Sequence, residues 1–414
     1  SGDAAALEYH RISGLGYLAS GGTLAGNDTT MISEKLRPFG TTIFAEMTAL
    51  AQKEGAINLA QGFPDFQGPD EIVEAAVGAL RSGNNQYARS RGLPELVEAV
   101  AEAQERYYGL TYDPMEEVVI FSGATEGIAA SLLGLLNPGD EVILFEPFYD
   151  SYPPGLALSR AVPRFLPLRF PDYTLDEDAL RALVTDRTRM IVLNTPMNPT
   201  GKVFTREELE VIARVCQDHD LLALTDEVYE HIVFDGVRHI PLASIPGMRE
   251  RTLTLSSAGK TYSFTGWKVG WATGPRALVD GAQAAHQFLT YAIPTPLQAA
   301  VAFALRNVHH DYLREFQAEY QARRDFLLPV LEEAGFQVVA PKGTYFIYAA
   351  FDDVFQGDDR EFAYWLTREH GVAALPPSSF YQEAADEGRR LTRFAFCKRM
   401  ETLEAAADRL RTIR

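Results

Sequence analysis

Between residues 118 and 273 the chain alternates short, uninterrupted apolar runs with longer stretches in which apolar positions return every third or fourth residue. Short runs without polar alternation predict strands covered on both faces, and the intervening periodicity predicts the helices that cover them. The expected fold class is therefore α/β, with a mainly parallel sheet. Strands are predicted at Val118–Phe121, Val142–Phe145, Met190–Asn194, Leu221–Thr225, Thr252–Ser256 and Val269–Thr273. Thr125–Leu136 reads as a helix stopped by the turn Asn137-Pro-Gly-Asp140, and Thr205 reads as the cap of a helix running through Leu209–Cys216. After Pro294-Thr-Pro296 a long helical stretch is predicted to Glu333, followed by shorter mixed material: Phe336–Ala340, Tyr345–Phe351, a helix over Glu361–His370, Leu391–Phe396 and a C-terminal helix. The expected layout is a large domain over 60–305 and a smaller, discontinuous α+β domain from 31–59 and 306–414. Residues 1–30 are rich in Ala, Gly, Ser and Thr without an amphipathic period and read as an arm or disordered extension; Met31 opens a segment of different composition and is a candidate functional start.

Composition narrows the function. The 414 residues are 46% apolar and 23% charged, as in ordinary globular proteins, and no apolar run approaches the ~20 residues of a bilayer-crossing helix. Lys and Arg number 38 against 56 Asp and Glu, a net charge of −18. So acidic a surface repels phosphate backbones and anionic lipid, so neither a nucleic-acid nor a membrane partner is expected. Cys216 and Cys397 stand far apart with no ligand spacing, which predicts no disulfide framework and no metal site. With no signal-peptide pattern at the N-terminal stretch, a reducing cytoplasm is the expected compartment.

Two segments first suggest a nucleotide hydrolase: Gly259-Lys-Thr261 follows a strand, and the apolar run Leu221–Thr225 leads into Asp226-Glu227. The spacing rejects it, because a phosphate loop needs a glycine about five residues before Gly259. Thr254 stands there, and the acidic strand precedes the loop. Lys260 makes better sense as a Schiff-base lysine. It ends a β-run beside the small residues Ser257-Ala-Gly259, which leave room for a planar ring, and Gly266, Lys268 and Gly270 follow.

The stretch Ser257-Ala-Gly-Lys-Thr-Tyr-Ser-Phe-Thr-Gly-Trp-Lys-Val-Gly270 resembles the lysine signature of class I aminotransferases, which are fold-type I enzymes dependent on pyridoxal 5′-phosphate. Ser122–Gly127, Glu146–Asp150, Asn194–Gly201 and Thr225–Tyr229 fit the same family in order. Ser122–Gly127 lies between strand and helix, so the backbone N–H groups of Ala124 and Thr125 are placed to bind a phosphate. The resemblance adds Ser257 and Lys268 to that phosphate. It implies Lys260 as the covalent anchor and proton carrier, and Asp226 as the partner that keeps the pyridine nitrogen protonated. It further implies Asn198 and Tyr229 at the phenolic oxygen and Tyr149 stacked on the ring. Arg393, in the strand-like Leu391–Phe396, is implied as the bidentate clamp of the substrate α-carboxylate, where Asn198 also contributes. Arg323 and Arg324, by contrast, are expected to be solvated helix residues.

Leu59–Phe66, Asn85-Gln-Tyr87 and Glu146–Asp150 are similar to a branch of that family holding kynurenine/glutamine and methionine aminotransferases, cysteine-S-conjugate β-lyases and N-succinyldiaminopimelate aminotransferases. This implies Gly62 at the carboxylate end of the pocket, Tyr291 beside the substrate, and Tyr87 reaching the cofactor phosphate of a second subunit in a homodimer with shared sites. Met197 and Lys268 depart from the commonest pattern without removing a group the chemistry needs. The arginine that dicarboxylate-specific relatives supply from the partner subunit is not visible around Tyr291–Ile293, so the resemblance argues against strict aspartate specificity. The expected activity is ping-pong transfer of an amino group from an apolar, aromatic, Gln/Met-like or N-succinyldiaminopimelate substrate to a 2-oxo acid. β-Elimination from cysteine S-conjugates on the same site is the alternative. A noncatalytic regulator on this fold is a remote one, since the 30-residue extension is too short and too acidic for a DNA-binding module.

Overall fold

The computed structural model describes residues 31–308 and 310–413, so the arm expected over 1–30 lies outside the described residues. Seven strands form one sheet: β1 (Val118–Ser122), β2 (Glu141–Glu146), β3 (Val162–Pro167), β4 (Thr188–Asn194), β5 (Leu222–Asp226), β6 (Thr252–Ser257) and β7 (Val269–Thr273). Their order is β1-β7-β6-β5-β4-β2-β3. Only β7 runs against its neighbours, pairing antiparallel with both β1 and β6. The apolar runs alternate between two faces as a doubly covered sheet requires. Val142, Leu144, Val192 and Leu224 enter one buried cluster, while Ile143, Phe145, Ile191, Leu193 and Ala223 enter another.

All six strands read from the apolar runs are present; β3 was not among them. Pro163 and Pro167 break its sequence pattern, and it survives because it is an edge strand, where a missing N–H leaves no ladder partner unpaired. The helix after β1, α1, spans Gly123–Leu135; α2 covers Tyr152–Ser159 and α3 covers Arg206–Asp218. Thr205 caps α3 through a complete capping box, its Oγ1 accepting from the Glu208 N–H at 3.3 Å while Glu208 Oε2 accepts from the Thr205 N–H at 3.0 Å. The long helix expected after Pro296 is two helices, α4 (Thr295–Asn307) and α5 (His310–Glu333). Val308 ends α4 by turning into the cluster of Ile120 and Trp271, where it is buried.

A second, antiparallel sheet has β9 (Phe346–Ala350) between β8 (Gln337–Val338) and β10 (Leu391–Ala395). Its apolar residues join Leu59, Tyr229, Tyr345 and side chains of α5 in one buried cluster. Within β10, Arg393 stands opposite Tyr348.

The expectation for Arg324 is corrected: it is 3% exposed. Asp235 receives its guanidinium at 2.7 and 2.8 Å, and Nη1 also donates to the Pro341 carbonyl at 3.0 Å, so its burial is compensated. Arg323 is also not simply solvated; it lies over the Phe66 ring at 4.8 Å and donates to the Lys398 carbonyl at 2.9 Å. Cys216 and Cys397 are buried free thiols. Among the described residues no group of ligating side chains could hold a metal ion, and no helix is long and apolar enough to cross a membrane.

Candidate active site

Parallel strands end together, so the segments that follow β1, β2, β4, β5 and β6 converge on one edge of the sheet, and the reversed β7 starts there. The crevice outside the carboxyl ends of such strands is the usual ligand site of an open α/β sheet. A cavity of about 450 Å³ opens there. Ala124 and Thr125 line it from the β1 end, Tyr149 from the β2 end, Asn198 from the β4 end, Asp226 and Tyr229 from the β5 end, Ser257 and Lys260 from the β6 end, and Lys268 from just before β7. Gly62 and Arg393 close it from the other sheet's side. Tyr87 and Tyr291 are not in its lining. They are 84% and 50% exposed on the surface of the chain, packed edge to face with ring centroids 5.5 Å apart.

One end of the cavity is built to hold an anion. The N–H groups of Ala124 and Thr125 belong to the first turn of α1, where no carbonyl of the helix stands behind them to accept. Ser257 and Lys268 join them in the lining. The packing is tight at backbone level: a Cβ on Gly270 would stand 2.6 Å from the Ala124 nitrogen, and one on Gly123 would stand 3.0 Å from Lys268 Nζ. Gly123 also needs its left-handed φ of 72° to turn from β1 into α1. Gly270→Ala should therefore push the turn off β7, costing about 1–3 kcal/mol of stability. Thermal melts check this, and the variant should also lose most of the stabilisation that added inorganic phosphate gives the unaltered chain.

Asp226 ends β5, 4% exposed. The Tyr152 hydroxyl donates to its Oδ2 at 2.9 Å, and Asn194 Nδ2 donates to its backbone carbonyl at 2.7 Å. Burial pushes its carboxyl up to about 6, against the lowering by the Tyr152 and Val228 hydrogen bonds. A carboxylate so placed gains by facing a cationic N–H. Tyr152, at the start of α2, was not singled out in the sequence; its only signal there was its place just past the Glu146–Asp150 motif. Asn194 also fixes the following turn, its Oδ1 accepting from the Asn198 N–H at 2.7 Å.

Lys260 sits in a single helical turn after β6, and its Nζ donates to the Tyr345 hydroxyl at 2.7 Å. Burial lowers its amine to about 8, opposed by the nearby Asp226 charge. Burial thus favours the neutral, nucleophilic form of the amine. Tyr345, like Tyr152, escaped the sequence reading.

Arg393 is 1% exposed, in a strand buried over the whole of Leu391–Ala395. Nη1 donates to Asn198 Oδ1 at 3.0 Å and Nη2 to the Ala60 carbonyl at 2.9 Å, with the guanidinium carbon 3.9 Å from the Phe346 ring centroid. Its Nε is buried and has no partner among the described residues. A buried guanidinium with an unused donor and no carboxylate fork is suited to an incoming anion. Asp150, unread in the sequence, lines the same cavity with its carboxyl pushed up to about 6 by burial, against the pull of Arg393. The rest of the lining mixes apolar residues, Phe44, Phe63, Ile128 and Phe346 among them, with the polar Thr42, Gln61, Ser151 and Thr265, and among the described residues Arg393 is the one arginine in it.

Comparison with known proteins agrees with this geometry. The family model for aminotransferase class I and II matches residues 54–410. The probable N-succinyldiaminopimelate aminotransferase DapC of Mycobacterium tuberculosis is 47% identical over 92% of this chain and 98% of its own. The methionine aminotransferase of Escherichia coli is 40% identical over 94% of this chain and the whole of its own. The solved N-succinyldiaminopimelate aminotransferase of M. tuberculosis superposes with a TM-score of 0.90 at 47% identity, covering 92% of this chain and 100% of that one. With a family model across residues 54–410 and relatives 47% and 40% identical over more than nine-tenths of its length, the chain belongs to the class I and II aminotransferases.

Proposed function

We propose that this aminotransferase works with pyridoxal 5′-phosphate held in the cavity and takes amino acids with long, apolar or amide-bearing side chains, N-succinyldiaminopimelate among them. The observation that carries the reading is the pair of ends of one cavity: an anion cradle at Ala124, Thr125, Ser257 and Lys268, and the buried, under-used Arg393 among apolar rings. The donor set fits the cofactor. The cradle suits its phosphate, Asp226 its ring nitrogen, Asn198 and Tyr229 its phenolic oxygen, Lys260 its aldehyde, and Tyr149 the face of its ring. When bound, pyridoxal 5′-phosphate supplies a carbonyl for amine exchange and a protonated ring that accepts an electron pair from Cα.

The chain's own residues supply the rest. Arg393 and Asn198 bind the α-carboxylate, which sets the Cα–H bond toward Lys260. Asp226, braced by Tyr152, keeps a proton on the ring nitrogen. Lys260, released as a free amine, takes the proton from Cα and returns it at the carbonyl carbon of the cofactor. The apolar rings exclude bulk water from that transfer. A water molecule admitted after that transfer would supply the oxo oxygen as the amino group leaves the first amino acid and its 2-oxo acid forms, and a second 2-oxo acid would accept the group in the reverse half, releasing a water.

Among the described residues one arginine lines the cavity, so the second carboxylate of a short dicarboxylate would be left unpaired beside Cα, whereas the two further carboxylates of N-succinyldiaminopimelate sit several bonds farther from Cα; the 47% identity to a DapC protein supports that donor. Tyr87, Phe288, Leu289 and Tyr291, all exposed, are read as the surface against which a second copy completes the site. The test is a panel of amino donors, each scanned for loss of the cofactor's aldehyde-form absorbance: N-succinyl-LL-diaminopimelate, methionine, kynurenine, glutamine and aspartate. The reading requires kcat/KM for aspartate to lie at least about 100-fold below the best donor, the discrimination expected when a buried carboxylate goes unpaired. Aspartate ranking first would overturn the substrate class.

A further inference from the structure

Tyr345 links two residues of the cavity lining, Lys260 and Gly62, that lie far apart in the chain. Its hydroxyl accepts a hydrogen bond from Lys260 Nζ at 2.7 Å and donates one to the Gly62 carbonyl at 2.7 Å. The ring cannot swing away. It is 1% exposed, packed edge to face with Tyr229 at 5.2 Å and with Phe346 at 4.8 Å, and stacked on Tyr320 at 5.8 Å. Because the hydroxyl proton is committed to a backbone carbonyl, its lone pair is left facing the lysine. The Nζ also lies 5.3 Å from the centroids of both the Tyr229 and Tyr345 rings, which favours a partly cationic amine there. Gly62 is fixed in turn, since a Cβ there would meet the Phe346 ring at 2.6 Å.

We propose that Tyr345 is a positioning residue for Lys260: its hydroxyl parks the lysine amine whenever that amine is not covalently engaged, so that it stays within reach of the substrate Cα. This rests on the reading of Lys260 as the lysine that captures the cofactor aldehyde and carries the proton. A flexible four-carbon side chain released into a cavity of this size would otherwise sample rotamers pointing away from the reacting carbon. Anchoring through Gly62 ties the parked amine to the same wall that receives the α-carboxylate. The bond also stabilises the protonated amine more than the neutral one, because the acceptor faces a fuller positive charge. The other ionisable groups whose charge reaches Lys260 are Cys397 just past β10, Asp226 at the end of β5, Arg393 in β10 and Lys268 ahead of β7. Tyr345→Phe leaves each of them in place.

Tyr345→Phe removes one oxygen and keeps the ring, so the core packing survives. In the holoenzyme the expected result is a fall in kcat of about 10- to 100-fold, the cost of losing a hydrogen bond to a charged group, with KM for the amino donor changed by less than about two-fold. The isotope effect with Cα-deuterated donor should rise, because proton transfer becomes the slow step. A second readout needs no turnover. The full chain stripped of cofactor is treated with formaldehyde and cyanoborohydride over a pH series, and methylation of Lys260 is followed by mass spectrometry. The midpoint of its rate against pH should shift downward by about one unit in the variant, since the protonated amine has lost its acceptor. Unchanged kcat and an unchanged midpoint would overturn the role of Tyr345, as would a variant that only melts lower while its folded fraction keeps the full isotope effect and rate. The reading of Lys260 fails separately: if borohydride fixes the cofactor on another lysine in the unaltered protein, both that reading and the parking role fall, whatever Tyr345→Phe does.

Discussion

Asp226→Ala should leave the cofactor captured and the Cα proton in place. The contacts that would retain the cofactor, from Lys260, Ser257, Lys268 and the first turn of α1, are untouched by the change. What disappears is the buried anion opposite the ring nitrogen. Its burial raises the carboxyl to about 6, with Tyr152 and the Val228 N–H working against that rise, so in the unliganded chain the anion is held at a cost and is stabilised by meeting a cation. Without it the ring nitrogen has no reason to stay protonated in so dry a place, and the ring becomes a poor acceptor for the Cα electron pair. Cα–H exchange, followed by solvent deuterium incorporation into the donor, should slow by about 10³-fold, the upper range for removal of one preorganised electrostatic partner. Tyr152→Phe should slow it far less, because Asp226 remains and only its orientation loosens. Near-normal exchange in Asp226→Ala would remove the residue from the chemistry.

The contrast between these two residues shows what a sequence makes legible. Asp226 could be read because the segment that holds it, Thr225–Tyr229, resembles the family's motif at the end of an apolar strand. Tyr152 and Tyr345 could not, since a tyrosine is at home in a core and its pattern does not say where the hydroxyl goes. Their partners lie 74 and 85 residues away in the chain. Arg324 was misread for the same reason: its partner Asp235 is 89 residues distant, and an arginine on a helix with a local pattern of charge looks solvated until the fold brings that carboxylate in. The sheet was readable because parallel strands, covered on both faces, show as unbroken apolar runs. β3 hid behind two prolines that only an edge position permits. The division of the helical stretch after Pro296 is likewise set by tertiary contact, the burial of Val308, and leaves no local stop signal of the Gly or Pro kind.

Arg393→Lys should lower kcat/KM for every α-amino acid tested and change the order of preference among them little. The guanidinium is placed by three features that lysine does not share. Its plane lies over the Phe346 ring at 3.9 Å, its two terminal nitrogens are already directed to Asn198 and the Ala60 carbonyl, and its Nε is buried without a partner among the described residues. An ammonium keeps the charge but is a compact, strongly hydrated donor that cannot hold both protein partners and present a fork to a carboxylate. The expected loss is on the order of 2–5 kcal/mol, the usual consequence of breaking a buried charged pair. Because the side-chain end of the pocket is walled by other residues, the loss should be shared by aromatic, thioether and N-succinyl donors alike. Cofactor absorbance should stay as it was, since Arg393 is none of the cradle residues, Ala124 and Thr125 of α1, Ser257 at the end of β6 and Lys268 ahead of β7. A purely structural arginine would behave differently: Arg393→Lys would then melt at a lower temperature while the folded enzyme kept its affinity for donors, and that pattern would take Arg393 out of the substrate site.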